Sequence, residues 1–165
     1  MDREHAQLMI DYTYWARDRL LRAVGRLSES EYLARRPLDY GSIHATLVHT
    51  YAAEVLWHSR WQGTSPTRML DTRDVVSLAE LEERWREQER GIREYLSTVP
   101  DEALRTAVVA YQSTQGQRFE RKLWQTVAHL INHGTHHRSE VASSITQLNH
   151  SPGDLDLIAY LNLGR

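Results

Sequence analysis

LINHGTHHR, the stretch at residues 130–138, places two histidines four positions apart, His133 and His137. Apolar residues on either side of it recur at helical spacing, so we predict a helix across this region. Residues i and i+4 of a helix lie on one face, which lets both imidazoles reach a single metal ion. A third histidine, His49, lies in another apolar stretch far upstream. Three neutral imidazoles would hold a divalent cation and leave at least one coordination position open.

Outward from this stretch, glycine and proline residues divide the chain into segments whose apolar residues repeat at helical spacing. Ser42 and Ser77 are predicted N-caps, because a serine side chain can accept a backbone N–H from the first turn of a helix. The pattern predicts four long helices, at residues 3–27, 42–61, 77–99 and 122–148.

The connecting segments complete the predicted fold. Residues 62–76 are polar and long enough to cross the end of a bundle, so the second and third helices need not be antiparallel neighbours. Residues 105–111 are β-prone and Gly116 offers a turn before Arg118, which allows a short β-hairpin before the fourth helix. Residues 152–161 predict a short docked helix. The predicted fold class is all-α: one domain over residues 1–165, a four-helix bundle with a long crossover between helices 2 and 3.

Composition excludes several classes of function. The chain has 165 residues, a formal net charge of −2 and no cysteine, which excludes disulfides, thiolate zinc ligands and a cysteine nucleophile. Acidic residues interleave with the arginines from Arg17 to Arg26, so we expect a solvated helix face there and no nucleic-acid partner. The chain start lacks the apolar segment of a signal peptide, and no stretch is apolar enough to span a membrane. We therefore expect a cytoplasmic protein.

The four histidines of the fourth predicted helix are not equivalent. A stripe of every fourth residue drifts by about 40° per step, so His129, His133 and His137 cannot all converge well on one ion. The pair His133 and His137, joined by His49 from another helix, offers better geometry, and His136 would be a hydrogen-bonding neighbour. Alternatively, these histidines are partly exposed or bonded to the backbone and hold no metal.

Two neighbouring residues bear on this site. Gly134 costs a helix about 1 kcal/mol relative to alanine; it either makes room for a ligand beside the imidazoles or permits close helix packing. Glu140 follows His133 by seven residues on the same stripe. It would orient a ligand imidazole, act as a base, or pair with a nearby arginine. Glu54 precedes His58 by four positions and not three, so the Glu-x-x-His motif of di-iron bundles is absent.

Over nearly its whole length the chain resembles the DinB/YfiT-like family of small helical metalloproteins. The resemblance implies a four-helix bundle with a crossover connection, a divalent metal (zinc or nickel) held by His49, His133 and His137, and a homodimer. It rests on Tyr14-Trp15-Ala16, Leu47-Val48-His49, Glu54 and Trp57, the run from Asn132 to Arg138 with Glu140, and the ending from Pro152 to Asp156.

Three functions are compatible with such a site. Relatives include S-transferases and an isomerase that use mycothiol or bacillithiol, so the resemblance implies a metal-dependent enzyme acting on a low-molecular-weight thiol. A metal-dependent hydrolase is the second function, since a divalent ion also activates water. The third is a non-catalytic stress-response protein that binds a metal or small ligand. Structural zinc usually has four protein ligands, whereas the sequence offers three good candidates.

Overall fold

The computed structural model describes residues 1–164. Within them the chain forms seven helices and a two-stranded antiparallel sheet. In chain order the elements are α1 (Arg3–Val24), α2 (Glu29–Leu33), α3 (Ile43–Trp61), α4 (Leu78–Thr98), α5 (Asp101–Thr106), β1 (Val108–Gln112), β2 (Arg118–Lys122), α6 (Leu123–Thr146) and α7 (Leu157–Leu161).

Both serine caps predicted from the sequence are confirmed. The Ser42 side chain accepts the backbone N–H of Ala45 at the start of α3, and the Ser77 side chain accepts that of Glu80 at the start of α4. These contacts satisfy donors that have no partner within the helix. The caps therefore set the first turn of α3, and with it the position of every later residue of that helix.

The four long helices pack so that α1 and α3 each contact both α4 and α6. Trp61 donates a hydrogen bond to Thr126 near the start of α6, whereas His49 lies beside His133 further along that helix. Hence α3 and α6 run antiparallel. The apolar sides of these helices form one continuous core, whose most deeply buried large residues include Ile10, Leu20, Ile43, Leu47, Leu81, Trp85, Ile92, Leu123 and Ile145.

The long polar segment after α3 is a crossover. Tyr51 contacts Trp85 and, further along both helices, Trp61 stacks on Tyr95, so α3 and α4 run parallel. Two parallel helices need a connection that returns along their whole length, which residues 62–77 supply. The second and third predicted helices correspond to α3 and α4. They are not antiparallel neighbours, as the sequence allowed.

The β-hairpin is present, with Val108 opposite Lys122 and Tyr111 opposite Phe119. Two short helices, α2 and α5, were not among the predicted elements. Ser28 lies beyond the end of the first helix, as the pattern predicts. It is also the N-cap of α2, where it forms a reciprocal capping box with Glu31. Five or six residues contain too little apolar periodicity to predict such helices.

The C-terminal segment docks on α1 through α7. Tyr160 is buried against Tyr12, and the Tyr12 hydroxyl donates a hydrogen bond to the carbonyl oxygen of Leu155. The predicted short docked helix is therefore confirmed, although it begins at Leu157. Among residues 1–164, none of the helices combines the length and the apolar character that a membrane span requires.

Candidate metal centre

The antiparallel packing of α3 and α6 brings three histidines together. The Nε2 atoms of His49 and His133 lie 3.0 Å apart, and the ring centroids of His133 and His137 are 4.5 Å apart. One nitrogen of each of the three rings lies within 4.8 Å of the other two. Zn–N bonds of about 2.0–2.1 Å in a tetrahedral site would separate ligand nitrogens by about 3.4 Å. The three imidazoles thus have a spacing that small side-chain movements adapt to one ion.

The electrostatics of this group keep two rings neutral. Burial, reinforced by the neighbouring His137, lowers the pKa of His49 to about 4 and that of His133 to about 3. A neutral imidazole has a free lone pair on one nitrogen, which is the form that binds metals. At neutral pH His49 and His133 can therefore offer lone pairs to a metal ion, and these two rings add little positive charge that would repel it.

Glu140 fixes the orientation of His137. The Nδ1–H of His137 donates to Glu140 Oε2 at 2.5 Å, which leaves the other ring nitrogen, Nε2, for a ligand bond. A carboxylate at this position also makes the imidazole a stronger metal ligand. Of the three roles that the sequence allows, this contact supports orientation of a ligand imidazole. Glu140 also accepts the backbone N–H of Asp39, at 3.3 Å, so it ties the loop before α3 to α6.

That loop contributes a residue that the sequence analysis missed. Tyr40 stacks on His49 with ring centroids 3.8 Å apart and meets the edge of His137 at 5.5 Å. Gly41, in the left-handed region at φ +79°, turns the chain between Tyr40 and the cap of α3. Burial, with Asp39 and Glu140 nearby, raises the pKa of the Tyr40 phenol. A neutral aromatic ring therefore forms one wall of the site. In the sequence, the only local signal for this arrangement is the Gly41-Ser42 turn that follows Tyr40.

A second set of potential ligands overlaps the first. It comprises Asp39, His136, His137 and Glu140. Asp39 and His136 are exposed and 3.6 Å apart, and Glu140 is already bonded to His137. We interpret this set as a polar layer around His137, in which Glu140 holds the hydrogen bonds and His136 lies beside Asp39.

The remaining internal histidines lie outside the cluster. His44 contacts the Val75 carbonyl oxygen through Nε2 at 2.9 Å, and His58 contacts Gln88 through Nδ1 at 3.2 Å. His129 is exposed, with its ring 5.7 Å from that of His133. The structure thus separates the ligand candidates from the other histidines as the helical spacing predicted.

The same helices also enclose a second polar group, here called the buried charge cluster: Tyr14, Arg17, Glu54 and Arg138. The Tyr14 hydroxyl donates to Glu54 Oε2 at 3.0 Å, and the Arg17 guanidinium lies 4.6 Å from the centre of the Tyr14 ring. Burial raises the pKa of Glu54 to about 7. Arg138 Nη2 donates to Thr135 Oγ1 at 2.8 Å. Neither Glu54 nor the two arginines signalled burial by residue type alone.

This cluster corrects two sequence-based expectations. The arginine run is not wholly solvated: the Arg17 side chain is only 3% exposed, because it forms ion pairs with Asp18 and Glu89 inside the fold. Nor does Gly134 make room for a ligand. A Cβ atom there would lie 2.9 Å from Arg138 Nη1, so the missing side chain accommodates the arginine of the next turn.

Fold and site together define a helical protein with a three-histidine group suited to a divalent metal. Comparison with known families gives the same class: the DinB family model matches residues 1–164. The chain belongs to the DinB family. No curated protein matches the chain. Similarity to known proteins therefore establishes the family and no specific activity.

Proposed function

We propose that this protein is a metal-dependent enzyme that holds one divalent ion, zinc or nickel, on His49, His133 and His137. The observation that carries the proposal is the convergence of three imidazole nitrogens within 4.8 Å. We further propose the bundle form predicted from the sequence, four long helices with the 62–76 crossover in a single domain, as its scaffold. The parallel pairing of α3 with α4 supports that form.

The donor set favours a reactive site over a structural one. Structural zinc sites usually have four protein ligands, and among residues 1–164 no fourth His, Asp or Glu side chain joins the three histidines within the same distance. Tyr40 covers one side of the group with the face of its ring and not with a ligand contact. Three histidines leave room for a substrate atom.

The reaction that we propose is S-transfer from a low-molecular-weight thiol. A bound divalent ion lowers the pKa of water or a thiol that coordinates it. The chain has no cysteine, so the nucleophilic sulfur must come from the substrate. The thiol loses its proton to solvent, its sulfur forms a bond to an electrophilic carbon, the bond from that carbon to the leaving group breaks, and the leaving group departs with the electron pair. Glu140 keeps its hydrogen bond to His137 throughout, and Tyr40 limits access of water from its side.

The test compares metal-loaded with metal-free protein. Each is mixed with chlorodinitrobenzene and with bacillithiol, mycothiol or glutathione, and conjugate formation is followed. We expect conjugate above the background rate only with metal-loaded protein, and loss of at least 90% of that rate in His133→Ala. His136→Ala is the matched control, because His136 is adjacent in sequence but exposed.

Other outcomes identify other functions. Cleavage of an ester probe without any thiol would support a metal-dependent hydrolase in place of the transferase. Stoichiometric metal with no turnover of either kind would support a non-catalytic metal-binding protein. Elemental analysis of protein purified without a nickel column identifies the metal, and sedimentation tests the homodimer that the family resemblance implies.

A further inference from the structure

Arg60, near the end of α3, is a buried cation without an acidic partner. Arg60 as a whole residue is only 6% exposed to solvent. The guanidinium lies 4.6 Å from the centre of the Trp57 ring and 4.4 Å from that of Tyr111. Nη2 donates to the Gln112 carbonyl oxygen at 3.2 Å, and Nε is buried with no hydrogen-bond partner in the described part of the chain. Cation–π contacts offset only part of the cost of burying such a charge.

The other two buried arginines have more polar partners than Arg60. Arg17 forms ion pairs with Asp18 and Glu89. Arg138 donates to Thr135, and the charges of Tyr12 and Glu54 oppose the effect of burial on its pKa. For Arg60, no carboxylate within residues 1–164 comes into ion-pair distance. Burial lowers the pKa of its guanidinium, and the Tyr111 phenol is the group that opposes this effect.

Arg60 shares a face of α3 with the metal centre. It follows His49 by eleven residues, which is about three turns and about 16 Å along the helix axis. Side chains of a helix lean toward its N-terminus, so the guanidinium reaches back toward His49. Between the two, the Trp57 ring lies 5.3 Å from His129 and the His129 ring 5.7 Å from His133. His129, which lies between them, is exposed, so this part of the seam between α3 and α6 reaches the protein surface.

We propose that Arg60 is a binding site for a carboxylate of the substrate, with the reacting end of the same molecule at the three histidines. This inference rests on the proposed function and adds its substrate class: an elongated, anionic thiol or electrophile whose carboxylate lies within about 16 Å of the reacting atom. A guanidinium pairs with a carboxylate through parallel hydrogen bonds, which would satisfy donors left without partners in the protein. Trp57 and Tyr111 hold the guanidinium plane in place.

The competing role for Arg60 is purely structural, as a cation–π contact between α3 and the hairpin. Arg60→Met separates the two roles, because methionine is unbranched and keeps apolar packing between the two rings but carries no charge. Arg60→Lys keeps the charge and should retain part of any anion binding. Arg121→Gln is the matched control: it removes an exposed cation that lies over Phe119 on the same hairpin.

The experiment is titration calorimetry of zinc-loaded protein with glutathione and with its diethyl ester, which lacks the free carboxylates. We expect wild-type protein to bind the acid at least tenfold more tightly than the ester, Arg60→Met to abolish that preference, and Arg121→Gln to keep it. Arg60→Met should retain the wild-type circular dichroism spectrum and the affinity for the ester. Equal binding of acid and ester by wild-type protein, or an unchanged preference in a folded Arg60→Met, would overturn the inference.

This assay contains no electrophile, so its result does not depend on turnover. A carboxylate preference that requires Arg60 in a protein without S-transfer activity would refute the proposed reaction and keep the anion site. Conversely, metal-dependent S-transfer with no role for Arg60 would keep the proposed function and refute the anion site.

Discussion

Two polar groups of this protein, the histidine cluster on α3 and α6 and the buried charge cluster on α1, α3 and α6, are built in opposite ways. In the buried charge cluster, hydrogen-bond donors meet acceptors: Tyr14 donates to Glu54, and Arg17 pairs with Glu89. In the histidine cluster, Nε2 of His49 faces Nε2 of His133 at 3.0 Å. Burial keeps both rings largely neutral at pH 7, and two such nitrogens can share at most one proton between them.

The difference separates structure from function. Buried polar groups that compensate one another contribute to a unique packed core, and they need nothing from outside. Lone pairs directed at a common point are stabilised when a cation occupies that point. We therefore expect substitutions in the charge cluster to change folding with little effect on metal affinity, and substitutions in the histidine cluster to do the reverse.

Glu54→Ala provides the most severe test of this contrast. It removes the acceptor of the Tyr14 hydroxyl and a carboxylate whose charge opposes the effect of burial on Arg138, and removing one partner of a buried charged pair costs about 3–5 kcal/mol. We expect the free energy of unfolding, measured in urea with metal-free protein, to fall by about that amount. Zinc affinity of the folded variant should stay within threefold of wild type.

Glu87→Ala is the control for this experiment, because Glu87 is an exposed helical glutamate on α4; we expect a change below about 0.5 kcal/mol. A stable Glu54→Ala protein that had lost its zinc affinity would reverse the assignment, and would place Glu54 in the metal centre.

The pH dependence of stability sharpens the same contrast. Burial raises the pKa of Glu54 from 4.5 to about 7, so the folded protein binds this proton more tightly than the unfolded chain. Its stabilising contribution is fully present below pH 4.5 and is lost as pH rises through 7, by about 3 kcal/mol.

Glu54→Gln has no such proton. Raising the pH from 4.5 to 8 should therefore lower the stability of the wild-type protein relative to this variant. Urea unfolding at pH 4.5 and pH 8 measures it. The histidines act in the opposite direction, because their lowered pKa values destabilise the fold as pH falls, but they are present in both proteins and cancel. A difference independent of pH would show that Glu54 is already ionised at pH 4.5.

Metal addition tests the histidine side. Zinc at 100 times its dissociation constant should raise the free energy of unfolding by about 2.7 kcal/mol, which is a rise in Tm of about 5–10 °C for a chain of this size. His49→Ala should remove most of that rise, and His136→Ala should keep it. A full rise in His49→Ala would mean that the ion binds at the Asp39–His136–His137–Glu140 set instead.

The sequence predicted which three histidines would lie together, because the information needed is largely local. Two of the histidines are related by a single helical turn, and the N-cap Ser42 fixes the phase of α3, so His49 follows once the helices pack. The crossover and the hairpin could also be predicted from local sequence. A long polar segment indicates the crossover, and turn residues between β-prone segments indicate the hairpin.

What the sequence could not predict depends on contacts across the fold. Arg17 and Glu54 look like solvent-exposed residues until α1, α3 and α4 meet around them. Tyr40 reaches His49 only because a left-handed Gly41 turns the loop back over α3. The sequence left two roles open for Gly134, ligand access and close helix packing, because the guanidinium that fills its space is visible only in three dimensions.

The smallest effect on metal affinity is expected at Glu140. This carboxylate orients the ligand candidate His137 and is not itself one of the three proposed ligands. Glu140→Gln keeps an acceptor for the His137 Nδ1–H but removes the negative charge that strengthens the imidazole as a ligand. We expect zinc affinity to fall by about tenfold with stability of the metal-free protein unchanged. Competition with a chromogenic chelator measures this, and Glu94→Gln, at an exposed position on α4, is the control. An affinity loss as large as that of His137→Ala would make Glu140 a metal ligand itself, and the site would then have four protein ligands in place of three.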